Sequence, residues 1–360
     1  MIIYVSPAEI NGGILQFSTS IARETREIRK CKLFLPSTVD RELYEDIAED
    51  VVAYNKVKTL QTSNEGIVAV AQKIISFSPE IVIFLEDSIL MQQLNAIINK
   101  SGIQTAVITH DVQHHPYRKM GMRRFLVDVI RRKMTRKTIK QCTRMILLSN
   151  NSETAFKREY KCDNTVVFRL PAHVPNVKAE IPAELKDITA QYFLFFGRID
   201  EYKGINRLCI AYSSLPEEVK DRNRLIIAGK GNLSEEESSL INADSCIHLI
   251  NRFVDDSEMV WLFENTKVVI MPYIEASQSG VLPIAYKFGK PVVVSDLQGL
   301  TENVSMNRTG YAFKTIDQLK EILHRFDSDN LSEDEILEFC EENFSWKSNL
   351  ETLFRIFQTK

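Results

Sequence analysis

Residues 195–208 read FFGRIDEYKGINRL, residues 226–233 IIAGKGNL, and residues 271–304 MPYIEASQSGVLPIAYKFGKPVVVSDLQGLTENV. The first stretch closes a short apolar strand, Tyr192–Phe196, and turns through Gly197 to Arg198 and Lys203 at the expected start of a helix. The third runs from a strand through Ser277, Gln278, Ser279 and Gly280 into a helix near Val281, then steps by Gly289-Lys290-Pro291 into another strand. A strand that ends in a Gly-rich loop at a helix N-terminus offers unpaired amides and the positive end of the helix dipole to an anion. Arginine adds a fork of donors and lysine a point charge. Together these features predict a cradle for a diphosphate. Arg198 and Lys203 taken alone read equally well as surface cations, one pairing with Asp200 or Glu201.

The same alternation extends outward from this stretch. Apolar runs at Ile2–Val5, Cys31–Leu35, Val51–Tyr54, Ile81–Phe84, Thr105–Thr109, Met145–Leu148 and Thr165–Phe168 predict seven strands in the first half. Tyr192–Phe196, Arg224–Ala228, Ile247–Ile250, Val268–Met271, Pro291–Val294 and Gly310–Phe313 predict six more. Strands separated by helical-period segments mean an α/β fold with parallel sheets covered on both faces. Residues 170–185, with Pro171, Pro175 and Pro182 and no apolar period, predict a linker. The boundaries that follow are an N-terminal domain over 1–172, a C-terminal domain over 186–340 and a terminal helical segment over 341–360. Ligands of open parallel sheets bind beyond the carboxyl ends of the strands, so the expected site lies in a cleft between two such domains.

At 360 residues the chain suits two domains of about 150–200 residues each. A net charge of −3 argues against a protein that coats nucleic acid. The six cysteines show no CxxC or other metal spacing and predict reduced thiols in a cytoplasmic protein. The opening MIIYVS reads as a strand rather than a signal peptide. No apolar run reaches the roughly 20 residues that span a bilayer.

Three N-terminal features carry further chemistry. Gly12 and Gly13, after the first strand, permit close backbone approach to a ligand, or else only a tight turn. His110 and Asp111 end a buried strand where an imidazole can orient a sugar hydroxyl. His114 and His115 give a single H-x3-H spacing with His110 and no further ligand cluster, so no metal is expected. Residues 117–144 hold eleven Lys/Arg, including Arg123, Arg124, Arg131, Arg132, Lys133, Arg136 and Lys137, against one acid, Asp128. With Phe125, Leu126, Val129, Ile130 and Met134 they predict a basic amphipathic helix suited to an anionic membrane surface, or else one whose apolar face packs on the sheet. One aromatic in the helix offers no stacking platform, so nucleic acid is not an expected partner. Glu275 and Glu302, at loop ends, are positioned for sugar hydroxyls or for water.

Taken together, FFGRIDEYKGINRL, IIAGKG and MPYIEASQSGVLPIAYKFGKPVVVSDLQGLTEN resemble the GT-B-fold glycosyltransferases of retaining family four, in a sub-branch with an A-S-Q-S-G-V loop. The NGG loop, the THD at 109–111 and the FSW at 344–346 also fit. The resemblance implies two Rossmann-like domains and a terminal helix that returns to the first. It implies transfer from a nucleotide-diphosphate sugar, with retention and no obligatory metal or other cofactor. Arg198, Lys203 and the Ser277–Val281 loop match its diphosphate contacts, and His110 its active-site histidine. The family's two glutamates eight apart fall here on Ala276 and Ile284, with Glu275 one residue from the first, so the ribose contact must differ. The expected acceptor is lipid-linked or an oligosaccharide, at the inner face of a cell membrane, in surface-polysaccharide assembly. A GT-B sugar-nucleotide epimerase and a non-catalytic nucleotide-sugar-binding homologue are the alternatives.

Overall fold

The computed structural model describes residues 1–9, 13–55, 65–110, 122–326 and 331–358, excepting the side chains of 122–128, 131 and 358. The chain divides into two compact units, residues 1–169 with 346–360, and residues 170–345.

The first unit runs β1 (Ile2–Val5), α1 (Gly13–Arg26), β2 (Cys31–Pro36), β3 (Val51–Tyr54), α2 (Glu65–Ser76), β4 (Ile81–Phe84), α3 (Ile89–Ile98), β5 (Gln104–Thr109), α4 (Met122–Gln141), β6 (Arg144–Leu147), α5 (Asn150–Tyr160) and β7 (Thr165–Val167). Its seven strands are all parallel, in the order β3-β2-β1-β4-β5-β6-β7. β1 and β4 are buried at every residue because helices cover both faces of the sheet, which is why they read as unbroken apolar runs.

The second unit runs β8 (Gln191–Phe196), α6 (Ile205–Ser213), α7 (Glu217–Arg222), β9 (Asn223–Ala228), α8 (Glu235–Ala243), β10 (Ile247–Ile250), α9 (Asp256–Asn265), β11 (Val268–Met271), α10 (Val281–Lys287), β12 (Val292–Ser295), α11 (Gln298–Thr301), β13 (Gly310–Phe313), α12 (Ile316–Arg325) and α13 (Glu333–Phe344). Its parallel sheet has the order β10-β9-β8-β11-β12-β13. Helix α14 (Trp346–Gln358) then belongs to the first unit. Leu350, Leu353 and Phe354 are buried there, each stabilising by about 1.5–3 kcal/mol.

Residues 170–185 pack as part of the second unit rather than as a free linker. Leu185 is buried, Glu180 N–H donates to Ser257 O at 3.1 Å, and Glu184 is gripped by Arg252. The prolines bar a strand ladder but not packing, which is why composition alone reads this stretch as a connector. Helix α13 likewise stays with the second unit, so the return to the first begins at Trp346 rather than at 341.

In both sheets the strand order reverses at one point, between β1 and β4 in the first unit and between β8 and β11 in the second. Crossovers leave that point in opposite directions and open a crevice at the carboxyl ends. Beside it in the second unit, Gly197 N–H donates to Ala228 O at 3.0 Å and Gly229 N–H to Ile250 O at 2.9 Å. Gly229 has φ +149°, and a Cβ there would lie 1.9 Å from Gly197 O. Gly229→Ala is therefore expected to destabilise the second unit by about 2 kcal/mol or more, read as a lower Tm.

Candidate functional site

In the second unit the segments after β8 and β11 flank the strand-order reversal. Arg198 follows Gly197 and is exposed. Lys203 lies not in a helix but in a 3-10 turn, Glu201–Lys203, that precedes α6. Ile274 N–H donates to Tyr202 O at 2.8 Å and fixes this turn to the exit of β11. The Lys203 ammonium lies 3.7 Å from the Tyr273 ring centroid and 5.1 Å from that of Tyr202. Aromatic faces attract the cation and hold it in place while leaving its N–H donors for another partner.

Tyr273 also joins this cation to the loop 277–280. Its hydroxyl is 3.3 Å from Ser279 Oγ, and Ser279 Oγ accepts from Val281 N–H at 3.3 Å. The structure thus brings Lys203 and the Ser277–Val281 loop together through one buried tyrosine that sequence reasoning did not single out. Helix α10 has seven residues, with Gly280 at its N-cap and no side-chain cap. Gln278 Oε1 is shielded from solvent with no hydrogen-bond partner. Gly299 seats α11 under this loop: a Cβ there would lie 2.4 Å from Ala276 O and 2.5 Å from Ser277 O. Glu275 and Glu302 are half-buried, the latter closing α11 with its N–H on Gln298 O.

The loop after β10 completes this edge. Asn251 Oδ1 accepts from Gly231 N–H at 3.1 Å. Arg252 binds both oxygens of Glu184, at 2.8 Å each, and both of Glu258, at 2.7 and 2.6 Å. Phe253, next to this clamp, is 58% exposed, an aromatic face presented to solvent. Its signal was the apolar residue inside NRFVDD.

In the first unit, His110 Nε2 lies 2.9 Å from Leu85 O. Its ring meets Phe17 edge-on, and Phe17 stacks on Trp346 with centroids 5.9 Å apart. The tryptophan of FSW therefore backs the wall that holds His110. Gly13 opens α1 with nothing within 4 Å of where a Cβ would be, so packing does not require glycine there. Gly12, Asp111, His114 and His115 lie outside the described residues. No group of three or more His/Cys/Asp/Glu that could hold a metal occurs among the described residues.

Sequence reasoning passed over Glu86, which follows Leu85 at the carboxyl end of β4. It is half-buried, and burial, with Asp87 next, pushes its carboxyl above the usual range. Glu9 and Glu86 in turn add to the burial that raises the Tyr54 hydroxyl, which donates to Ser6 O at 2.8 Å.

Helix α4 does not pack Val129 and Ile130 on the sheet, the second of the two readings of its sequence; it buries threonines instead. Thr135 and Thr138 are 1% exposed, with Thr135 Oγ1 donating to Asp87 Oδ2 at 2.9 Å. Val129 and Ile130 instead stand 47% and 52% exposed, alongside exposed Arg132, Lys133, Arg136 and Lys137. Arg132 pairs with Glu159 at 2.7 Å. The side chains of Arg123, Arg124 and Arg131 lie outside the described residues.

Residues 176–341 match the family model of group 1 glycosyl transferases, within the second unit. An uncharacterized glycosyltransferase of Methanocaldococcus jannaschii, MJ1069, is 26% identical over 173 residues. That similarity spans 46% of this chain and 44% of the relative, less than half of its length. The Anabaena Alr3699/HepE structure, a complex with UDP, superposes over 100% of both chains with TM-score 0.76 at 14% identity. A glycosyltransferase of Rickettsia africae gives TM-score 0.75 at 16% identity, over 99% of this chain and 97% of its own. The fold is thus the two-unit, parallel-sheet GT-B architecture of glycosyltransferases.

The Arg252 clamp has a pH signature. Its hydrogen bonds hold the Glu184 carboxyl below the usual range. A depressed carboxylate stabilises above its unfolded pKa, and that stability is lost as pH falls through the folded value. Melts from pH 7 to pH 3 are expected to show an acid loss that Arg252→Gln reduces by about 1 kcal/mol or less, as suits a partly exposed pair.

Proposed function

We propose that this chain is a glycosyltransferase that moves a sugar from a nucleoside-diphosphate sugar to a glycan acceptor. The observation that carries this reading is Lys203 held on Tyr273 beside the Ser277–Val281 loop, at the carboxyl edge of a sheet matched to group 1 glycosyl transferases. Arg198, Lys203 and the amides of that loop stabilise charge as it develops on the diphosphate leaving group. Glu275 and Glu302 border the loop and supply hydroxyl contacts. Gly12 and Gly13 admit the ligand close to the start of α1, and His110 positions the transferred sugar. Phe253 gives the nucleobase a face to stack on, while Gln278 offers its shielded carbonyl oxygen to the nucleoside. UDP is the first nucleotide to try, since the Anabaena structure of the same fold contains it. Transfer proceeds with retention by front-face attack, and needs no metal; the leaving phosphate, rather than a protein carboxylate, accepts the acceptor's proton.

The reading extends to a membrane. No described helix is long and apolar enough to cross one. Helix α4, with Val129 and Ile130 turned outward among basic side chains, suits the anionic inner face of a cell membrane and a lipid-linked acceptor of surface-polysaccharide assembly.

Thermal shift with UDP, ADP, GDP and CDP is expected to show saturable stabilisation by one of them. Arg198→Ala or Lys203→Ala is expected to weaken it at least tenfold, as loss of a charged phosphate contact does. No shift with any nucleotide sinks the donor assignment. In flotation with vesicles of phosphatidylcholine and phosphatidylserine, replacing Arg132, Lys133, Arg136 and Lys137 by Gln is expected to abolish binding, at about 1 kcal/mol per cation. Unchanged flotation overturns the membrane reading.

A further inference from the structure

Every parallel sheet of this type has its ligand crevice where the strand order reverses, and the first unit has one between β1 and β4. Leu85 N–H donates to Val5 O at 2.9 Å, so the chain keeps to the edge of that crevice until Glu86. Glu86 is half-buried and makes no hydrogen bond or ion pair with any described residue. The neighbouring polar groups are already engaged: Tyr54 on Ser6 O, Ser18 on Ser6 Oγ, and Asp87 on Gln92 and Thr135. A carboxylate partly withdrawn from water without a partner is a cost to the fold. Asp87 adds like charge to it. No described side chain offsets this cost. The imidazole of His110 is moored to the carbonyl of Leu85, the residue before Glu86, so the carboxylate and the ring meet the same stretch of backbone.

We propose that Glu86 is an acceptor-binding residue: its carboxylate takes hydrogen bonds from hydroxyls of the sugar acceptor and restricts that acceptor to a neutral glycoside. A carboxylate only accepts hydrogen bonds, so it matches the vicinal hydroxyls of a saccharide. The same negative charge repels a phosphorylated or carboxylated acceptor. Among the described residues the first crevice thus carries the Glu86 carboxylate, whereas the corresponding crevice of the second unit carries Arg198 and Lys203. This inference rests on the glycosyltransferase reading and names its acceptor class.

The test measures binding and stability together on the full chain. Saturation-transfer NMR with the methyl glycosides of glucose, galactose, mannose and N-acetylglucosamine is expected to show binding of at least one. Glucose 6-phosphate is expected to bind at least tenfold more weakly. Glu86→Ala is expected to reduce glycoside affinity at least tenfold, and Glu86→Gln to reduce it less and to admit glucose 6-phosphate. Both variants are expected to raise Tm at pH 7, because removing an unpartnered carboxylate relieves the fold. A purely structural role predicts the opposite sign. The proposal is overturned by absence of glycoside binding to the wild type, by unchanged affinity in both variants, or by a lower Tm for Glu86→Gln. The shift induced by whichever of UDP, ADP, GDP and CDP stabilises the wild type, recorded on the same samples, is expected to be equal in all three proteins. The absence of a shift with all four counts against the donor assignment alone, since the glycoside signal is read separately.

Discussion

Parallel strands cannot be joined by tight turns, and this constraint organises the whole chain. Each strand must be followed by a crossover that returns over the sheet, and the crossovers share one handedness. All carboxyl ends therefore collect on one edge of each sheet. Where the strand order reverses, adjacent crossovers part and leave a crevice that side chains do not fill. In the second unit the parting lies between β8 and β11, and the chain places Arg198, Lys203 and the 277–281 loop there. In the first it lies between β1 and β4, beside Ser6, Gly13 and Glu86. One backbone rule thus makes two crevices, lined by different side chains.

Those side chains are held by different means. Lys203 is restrained by aromatic faces, which cost it no N–H donors. His110 is restrained by a carbonyl on one side and by Phe17 and Trp346 behind it. Arg252 is fully committed to two carboxylates and holds a loop rather than a ligand. A cation engaged by protein acceptors and one resting on a π face thus stand along the same carboxyl edge of the second unit.

The strands were legible because burial on both faces leaves them uninterrupted apolar runs, and their positions hold to within a residue or so at each end. The loops after β8 and β11 were legible because glycine and cations follow such runs immediately. What escaped depends on partners distant in sequence. Nothing in NRFVDD announces that Arg252 meets Glu184, 68 positions earlier. Tyr273 looks like a strand-end aromatic until Lys203 and Ser279 are seen on either side of it. In helix α4 the sequence left open whether the apolar face packs on the sheet; it does not at Val129 and Ile130, because the buried Thr135 bonds to Asp87 and Gln92 of the neighbouring segments instead. Glu86 was invisible for a related reason: its interest lies in what does not pair with it.

The position of α14 has a consequence for synthesis. The first unit begins the chain but lacks its last helix until the 176 residues from Leu170 to Ser345 have been made. Until then Phe17 and Phe168 have no Trp346 to pack against, and the surface awaiting Leu350, Leu353 and Phe354 is bare. The second unit, by contrast, is continuous in sequence and waits for no later segment. The wall behind His110 therefore cannot be complete until Trp346, the first residue beyond the second unit, has been made.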